Sequence, residues 1–415
     1  MTLPALLLVL AQVPTAGGTY TEAQAVERAL VHSPLLKAKD HEVDEASALT
    51  DVSTRWSNPQ LRIAKLRYDQ LVDPAVQGRT YGDHPFRKTS IGIRWDPPEL
   101  GQRSTRAAEA RVHEVKAVAE RVQARRDTVA LVRTLHASVV NLDAEIGLAK
   151  SALAGRERLR DLVHKRAEQQ AATRLDESLA EVDYLDVFTR LSELEVQRRQ
   201  DYESLLAQLD LPPDAVVTLL GDGKEGCRET VDSRSAQDRA EQANPWASMV
   251  AQEIKAADAE RSRRWWGLLP WPDYLQASYV MAGDNQPGYF TFEFGLTLPL
   301  LDWKRGERRA FAAKHSALVE ELRAQNRSLA DKLRRTASAQ AAQALLVRRY
   351  QDSAAEIDRG LTSLRRSLES GESTNLLQLE HVQTRLFAAQ RSALRAQLDC
   401  KLRQIELDRL TGAEL

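Results

Sequence analysis

Eight histidines stand at positions 32, 41, 84, 113, 136, 164, 315 and 381. No two are three or four residues apart, the spacing that would set two imidazoles on one helical face around a metal. Asp40-His41-Glu42 is consecutive, so its side chains fan around a helix and read as a solvated face. Cys227 and Cys400 are the only cysteines, enough for one bridge or two thiols but not for a disulfide framework. No Gly-x-Ser-x-Gly turn, phosphate-cradling glycine loop or Cys-x-x-Cys pair occurs. Neither an enzyme nor a cofactor or metal site is expected. The chemistry on offer lies in one strand, Tyr289-Phe-Thr-Phe-Glu-Phe-Gly-Leu-Thr-Leu298. Phe290, Phe292, Phe294, Leu296 and Leu298 point one way, and Tyr289, Thr291, Glu293, Gly295 and Thr297 the other. If the apolar side meets lipid, Thr291, Glu293 and Thr297 line a pore.

Such a strand needs elements to hold it. The 15 prolines leave 99–211 and 300–415 empty. Proline lacks an N–H and clashes with the preceding helical turn, so each proline-free stretch is a candidate helical hairpin. Apolar residues recur there at threes and fours, as in Val129, Val132, Leu135, Val139, Leu142 and Ile146. This narrow stripe is of coiled-coil type. The aromatic content of 6% and charged content of 28% fit long helices better than several compact cores. A net charge of −1 gives no basic stripe for nucleic acid.

The chain also repeats itself. Ser33-Pro34 matches Asn244-Pro245, and Ile91-Gly-Ile-Arg-Trp95 matches Phe294-Gly-Leu-Thr-Leu298. Each unit reads helix, strand, strand, long helix, turn, helix. Periodicity and breakers put helices at about 22–57, 102–168 and 174–210, then at about 235–268, 305–369 and 375–411. Strands fall at about 60–68, 88–95, 272–281 and 289–298. Two short helices equal one long one of ~100 Å, as the wall of a tube would require. The expected division is 1–18, 19–215 (first repeat), 216–234 (inter-repeat segment) and 235–415 (second repeat). Residues 1–18 read as a secretory signal, and no Cys follows them for lipid attachment.

Trp56, Trp95, Trp265, Trp266, Trp271 and Trp303, six of the seven tryptophans, fall where helices meet strands. An aromatic girdle at one level is what membrane barrels carry. Four strands cannot close a barrel, and open edges are not tolerated in lipid, so other copies must complete it. Strand arithmetic leaves three and four copies equally open.

The order of elements, the tandem repeat and Phe294-Gly-Leu-Thr-Leu-Pro-Leu300 resemble the TolC family of outer-membrane factors. Gly371-Glu-Ser-Thr-Asn-Leu-Leu-Gln-Leu-Glu380 is similar to the family's helical turn at the periplasmic tip. The resemblance implies a mainly α fold with a small β part. Three chains would build a 12-stranded outer-membrane β-barrel on a 12-helix α-barrel. It also implies a homotrimer working with a periplasmic adaptor and an inner-membrane pump of RND or ABC type. Asp96-Pro-Pro-Glu-Leu-Gly-Gln-Arg103 further resembles the CzcC-like heavy-metal branch, which implies cation cargo. The first tip turn, Gln169-Gln-Ala-Ala-Thr-Arg-Leu-Asp176, departs from the family in lacking the glycine found at Gly371. Tip and gate residues expected from the two turns are Arg174, Asp176, Glu369 and Glu372. Adaptor docking is expected at Thr173, Leu175, Gly371, Ser373, Leu376 and Leu377. Two competing readings are a soluble periplasmic coiled-coil scaffold without a pore and the outer-membrane part of a protein secretion system.

Overall fold

The structure, a computed structural model, describes residues 18–68, 86–221, 233–266, 269–282, 287–298, 305–370 and 376–413. The element order is β1 (Gly18–Tyr20), α1 (Glu22–His32), α2 (Pro34–Ser53), β2 (Gln60–Tyr68), β3 (Phe86–Trp95), α3 (Gln102–Glu168) and α4 (Arg174–Gln208). It continues with β4 (Val217–Leu219), α5 (Ser233–Gln242), α6 (Pro245–Trp266), β5 (Trp271–Ala282), β6 (Tyr289–Thr297), α7 (Arg305–Ser370) and α8 (Leu376–Thr411). The second seven elements follow the same order as the first. Helices α3 and α7 have 67 and 66 residues, ~100 Å each.

Two expectations need correction. The segments 22–57 and 235–268 are not single helices: each breaks just before a proline, at Ser33 and after Gln242. The residue before proline is driven out of helical geometry, and Ser33 takes ψ 119°. Gly18 opens β1; residues 1–17 lie outside the described residues. Strands β1 and β4 pair in parallel, Gly18 with Val217 through Tyr20 with Leu219, a contact that the sequence did not announce.

The chain divides into two units. Unit 1 comprises 1–39, 121–244 and 326–415, and unit 2 comprises 40–120 and 245–325. Unit 1 contains several buried apolar clusters. Ala25, Ala29, Val132, Leu205, Leu206, Leu209, Leu211 and Val217 form one buried cluster around the β1–β4 ladder. Leu142, Ile146, Leu191 and Leu194 continue the seam between α3 and α4. Unit 2 holds a four-stranded sheet in the order β2-β3-β5-β6, antiparallel throughout. The middle ladder, β3 with β5, joins the two repeats. Among the described residues, neither β2 nor β6 has a partner on its outer edge.

Candidate functional site

The sheet sorts its side chains by face across all four strands. Cross-strand partners share a face. Leu61 faces Ile93, Ile63 faces Ile91, and the row continues through Ala277 and Tyr279 to Phe292 and Phe290. Leu275 and Phe294 join it. This face is bare: Phe290, Phe292 and Phe294 are 71%, 83% and 60% exposed, and Leu61 and Ile63 nearly as much. Leaving four strands of aromatic and aliphatic side chains uncovered in water would forfeit ~25 cal/mol per Å2. Singly exposed apolar residues need no explanation, but a continuous patch marks contact with another apolar phase.

The opposite face is polar. Thr291 stands across from Ser278, Glu293 from Gln276 and Thr297 from Trp271. Thr291 Oγ1 donates to the Ser278 carbonyl at 3.4 Å, and Gln276 Nε2 donates to Ser278 Oγ at 3.1 Å. Arg94 lies over the Tyr274 ring at 4.0 Å and is paired with Asp96 at 2.7 Å. Gly92 and Gly295 let the strands pack, since a Cβ at either would strike the Ser278 side chain or the Tyr274 ring. Sequence reasoning found Thr291, Glu293 and Thr297 but missed Arg94, Gln276 and Ser278. Arg94 is joined to this face through the non-local β3–β5 ladder, which alternation along one strand does not show, whereas Gln276 and Ser278 face Glu293 and Thr291 across the β5–β6 hairpin.

The tryptophans gather where helices enter and leave the sheet. Trp95 ends β3 on the apolar face, and its ring lies 5.8 Å from that of Trp56. Trp95 Nε1 donates to the Ser57 carbonyl at 3.1 Å. Trp265 and Trp266, both exposed, close α6. Trp271 opens β5. An irregularity between Pro272 and Tyr274 inserts one residue, so Trp271 pairs with Thr297 and turns to the polar face. Its Nε1 is buried with no hydrogen-bond partner among the described residues. Trp303 lies outside the described residues.

At the far end of the first helical hairpin, α3 stops in a left-handed residue, Gln170, at φ 55°. Ala171 N–H donates to the Arg166 carbonyl and Gln170 N–H to that of Ala167, the double closure usually capped by glycine. Thr173 then caps α4. Its Oγ1 accepts from the Asp176 N–H at 3.2 Å, and its own N–H donates to the Asp176 carboxylate at 2.8 Å. These bonds hold the Asp176 carboxyl below its usual range. Asp176, one of the expected tip residues, is engaged within its own cap. His164 on α3 meets Glu177 on α4 at 2.6 Å, which raises the imidazole's pKa, and Glu168 adds to the shift. Arg174 opens α4, and Leu175 is 68% exposed. Glu369 falls in the last turn of α7, and Leu376 and Leu377 open α8. Gly371, Glu372 and Ser373 lie outside the described residues.

Solved structures with this arrangement exist. The outer membrane protein VceC of Vibrio cholerae aligns over 94% of this chain and 96% of its own, with TM-score 0.74 and 16% identity. A membrane protein from Pseudomonas aeruginosa aligns over 94% and 90%, with TM-score 0.79 and 17% identity. The open-state MtrE outer membrane channel of Neisseria gonorrhoeae aligns over 94% and 88%, with TM-score 0.75 and 16% identity. The fold is that of these outer-membrane proteins. No family model and no curated protein matches the chain.

Within that fold, α3 of unit 1 buries charges that its sequence would assign to a solvated face. Arg133 bonds Glu22 of α1 and, at 3.0 Å, Asp408 of α8, while Lys401 meets Glu22 at 3.0 Å. Arg156 reaches Asp183 at 3.4 Å and Thr384 at 2.5 Å. Cys400 is fully buried and disulfide-bonded; Cys227 lies outside the described residues. Asp40, His41 and Glu42 are exposed. Among the described residues no group of His, Cys, Asp and Glu is placed to hold a metal ion, and no helix is long and apolar enough to cross a membrane.

Proposed function

We propose that the chain is one subunit of a homotrimeric outer-membrane channel of the TolC type, the passive exit duct of a tripartite efflux system. The observation that carries this reading is the sheet of unit 2: one continuous bare apolar face, one polar face, and an unpartnered strand at each edge. A lipid bilayer satisfies the first, a water-filled lumen the second, and neighbouring copies the third. Three copies of four strands give the 12-stranded barrel of the family that the sequence resembles. Thr291, Glu293 and Thr297 line its lumen. The long α3–α4 and α7–α8 hairpins form the periplasmic tunnel. Their turns, with Arg174, Asp176, Glu369 and Glu372 at the gate, are where an adaptor helical hairpin docks, against Thr173, Leu175, Gly371, Ser373, Leu376 and Leu377.

For cargo, heavy-metal cations or small toxic compounds fit best. A ring of three Glu293 carboxylates favours cations. Arg62 and Arg94 share that face, so the lining carries both signs and Glu293 does not decide the matter. The cation reading is supported mainly by the Asp96–Arg103 segment. The test is export in a deletion strain complemented with the Thr291→Phe, Glu293→Phe double variant, six phenylalanines per trimer. Export should collapse at unchanged outer-membrane abundance; normal export would contradict the lumen assignment.

A further inference from the structure

The two open edges of the unit 2 sheet carry opposite charge. Strand β2 contains Arg62, Lys65 and Arg67 and no carboxylate. Strand β6 contains Glu293 as its only charged residue. Arg62 and Glu293 are both exposed, and neither forms an ion pair among the described residues. Both stand on the polar face: Glu293 is opposite Gln276, and Arg62 is in the row that runs through Gly92 and Ser278 to Thr291.

The edges also match in direction and length. All three ladders are antiparallel, so β6 of one copy meets β2 of the next as an antiparallel pair. Each strand has nine residues. One register uses all of them, from Tyr289 opposite Tyr68 to Thr297 opposite Gln60. It sets Phe294 against Ile63 and Leu296 against Leu61, so the apolar face continues across the boundary. Lys65, on that same face, meets Phe292, whose ring is 83% exposed and offers its π face to the ammonium.

Barrel geometry supports the same register. Within one chain Gln60, Arg94, Gln276 and Glu293 lie in one row across the four strands. With all nine residues paired, Glu293 meets Ala64 of the next copy, four residues along from Gln60. That step is ~13 Å over strand spacings that sum to ~19 Å, a strand tilt of ~35°. Membrane barrels tilt by ~35–45°, whereas a two-residue step would tilt the strands by only ~19°. A six-residue step, ~46°, would leave the last two residues of each edge unpaired in lipid. Odd steps would turn the phenylalanines into the lumen.

We propose that β6 pairs with β2 of the next copy in this register, and that Glu293 forms an ion pair with Arg62 of that copy across the subunit boundary. This rests on the reading of the sheet as a barrel wall. Arg62 is diagonal to Glu293 on the lumen face, ~7–8 Å away at Cβ, within reach of a long side chain. Directly opposite Arg62 is Gly295, covered by the Tyr274 ring and offering no carboxylate. Each Glu293 is thereby neutralised, so the three pairs fasten neighbouring copies and do not form a bare carboxylate ring that selects cations.

The test uses the full-length protein in outer-membrane vesicles. Glu293→Cys combined with Ala64→Cys should link copies on oxidation, giving dimers and trimers on a denaturing gel. Glu293→Cys combined with Gln60→Cys or with Leu66→Cys should give at most a trace, because a disulfide needs directly opposed Cβ atoms. The wild type, in which Cys400 is already disulfide-bonded, is the control. Arg62→Glu and Glu293→Arg should each lower the temperature at which the trimer band falls apart, and the double exchange should recover most of the loss. If a reversal does not reach the membrane, Arg62→Gln, Glu293→Gln and their combination complete the same cycle. Additive losses in the double variant would overturn the ion pair. Linkage from position 60 or 66 in place of 64 would overturn the register. Both results leave the barrel wall standing, since the copies still join edge to edge. No linkage at any of the three positions would overturn the proposal, and a monomer that also washes from the membrane in carbonate would refute the wall itself.

Discussion

The apolar cluster around β1 and β4 in unit 1 and the sheet of unit 2 handle apolar side chains in opposite ways. In unit 1, Leu205, Leu206 and Val132 are almost wholly hidden, and even charges such as Arg133 are drawn inside and paired. In unit 2, the sheet turns its phenylalanines outward and keeps its polar groups on the other face. The cluster follows the packing rule for water, whereas the sheet leaves bare a face that, on the function proposed above, meets lipid.

The largest effect should come from the buried charges of unit 1. Arg133→Met leaves Asp408 without its cation and Glu22 with Lys401 alone. Breaking a buried pair from one side costs about 3–5 kcal/mol. Chemical unfolding followed by helical circular dichroism should show a loss of that size. A change below ~0.5 kcal/mol, the surface norm, would put Arg133 in water. The companion change in unit 2 is Phe292→Arg. At the middle of a bilayer an outward arginine on a barrel costs about 2–4 kcal/mol, whereas on a wetted sheet it would be nearly neutral. Unfolding of the protein reconstituted in vesicles distinguishes the two.

A smaller effect sharpens the picture of the α3–α4 turn. The Asp176 carboxyl is held below its ordinary value of 3.8, so its contribution is present above that pH and is lost as pH falls through the folded value. The His164 imidazole is held above its ordinary value of 6.5, so its contribution is present below that pH and is lost as pH rises through the folded value. Both contributions are full in the mildly acidic window between, and each fades only through its own folded value. Amide exchange at residues 171–177, corrected for intrinsic rates, should be slowest there. Asp176→Asn should remove the acid limb and His164→Gln the alkaline one. A profile without either limb would contradict the cap and the His164–Glu177 contact.

The parts legible in the sequence were those with long local signals. Missing proline marked α3–α4 and α7–α8, and alternation marked β6. The resemblance in the residue pattern agreed with the fold found by comparison. Three kinds of feature were not legible. Strands β1 and β4, three residues each, are too short to show a period. The Arg133 network draws on Glu22 and Asp408, 111 and 275 residues away, so the arginine alone reads as solvated. Trp271 was assigned to the girdle by its position ahead of the third strand, and nothing in Trp271-Pro-Asp-Tyr274 announces the inserted residue that sets the face it takes.

The central claim is that the two faces of the sheet meet different solvents. It is tested most directly by a spin label at position 292 and, separately, at position 293, in the protein reconstituted in vesicles. Relaxation by oxygen, which concentrates in lipid, should dominate at Phe292, and relaxation by a water-soluble nickel chelate should dominate at Glu293. Aqueous access at both positions would contradict the account.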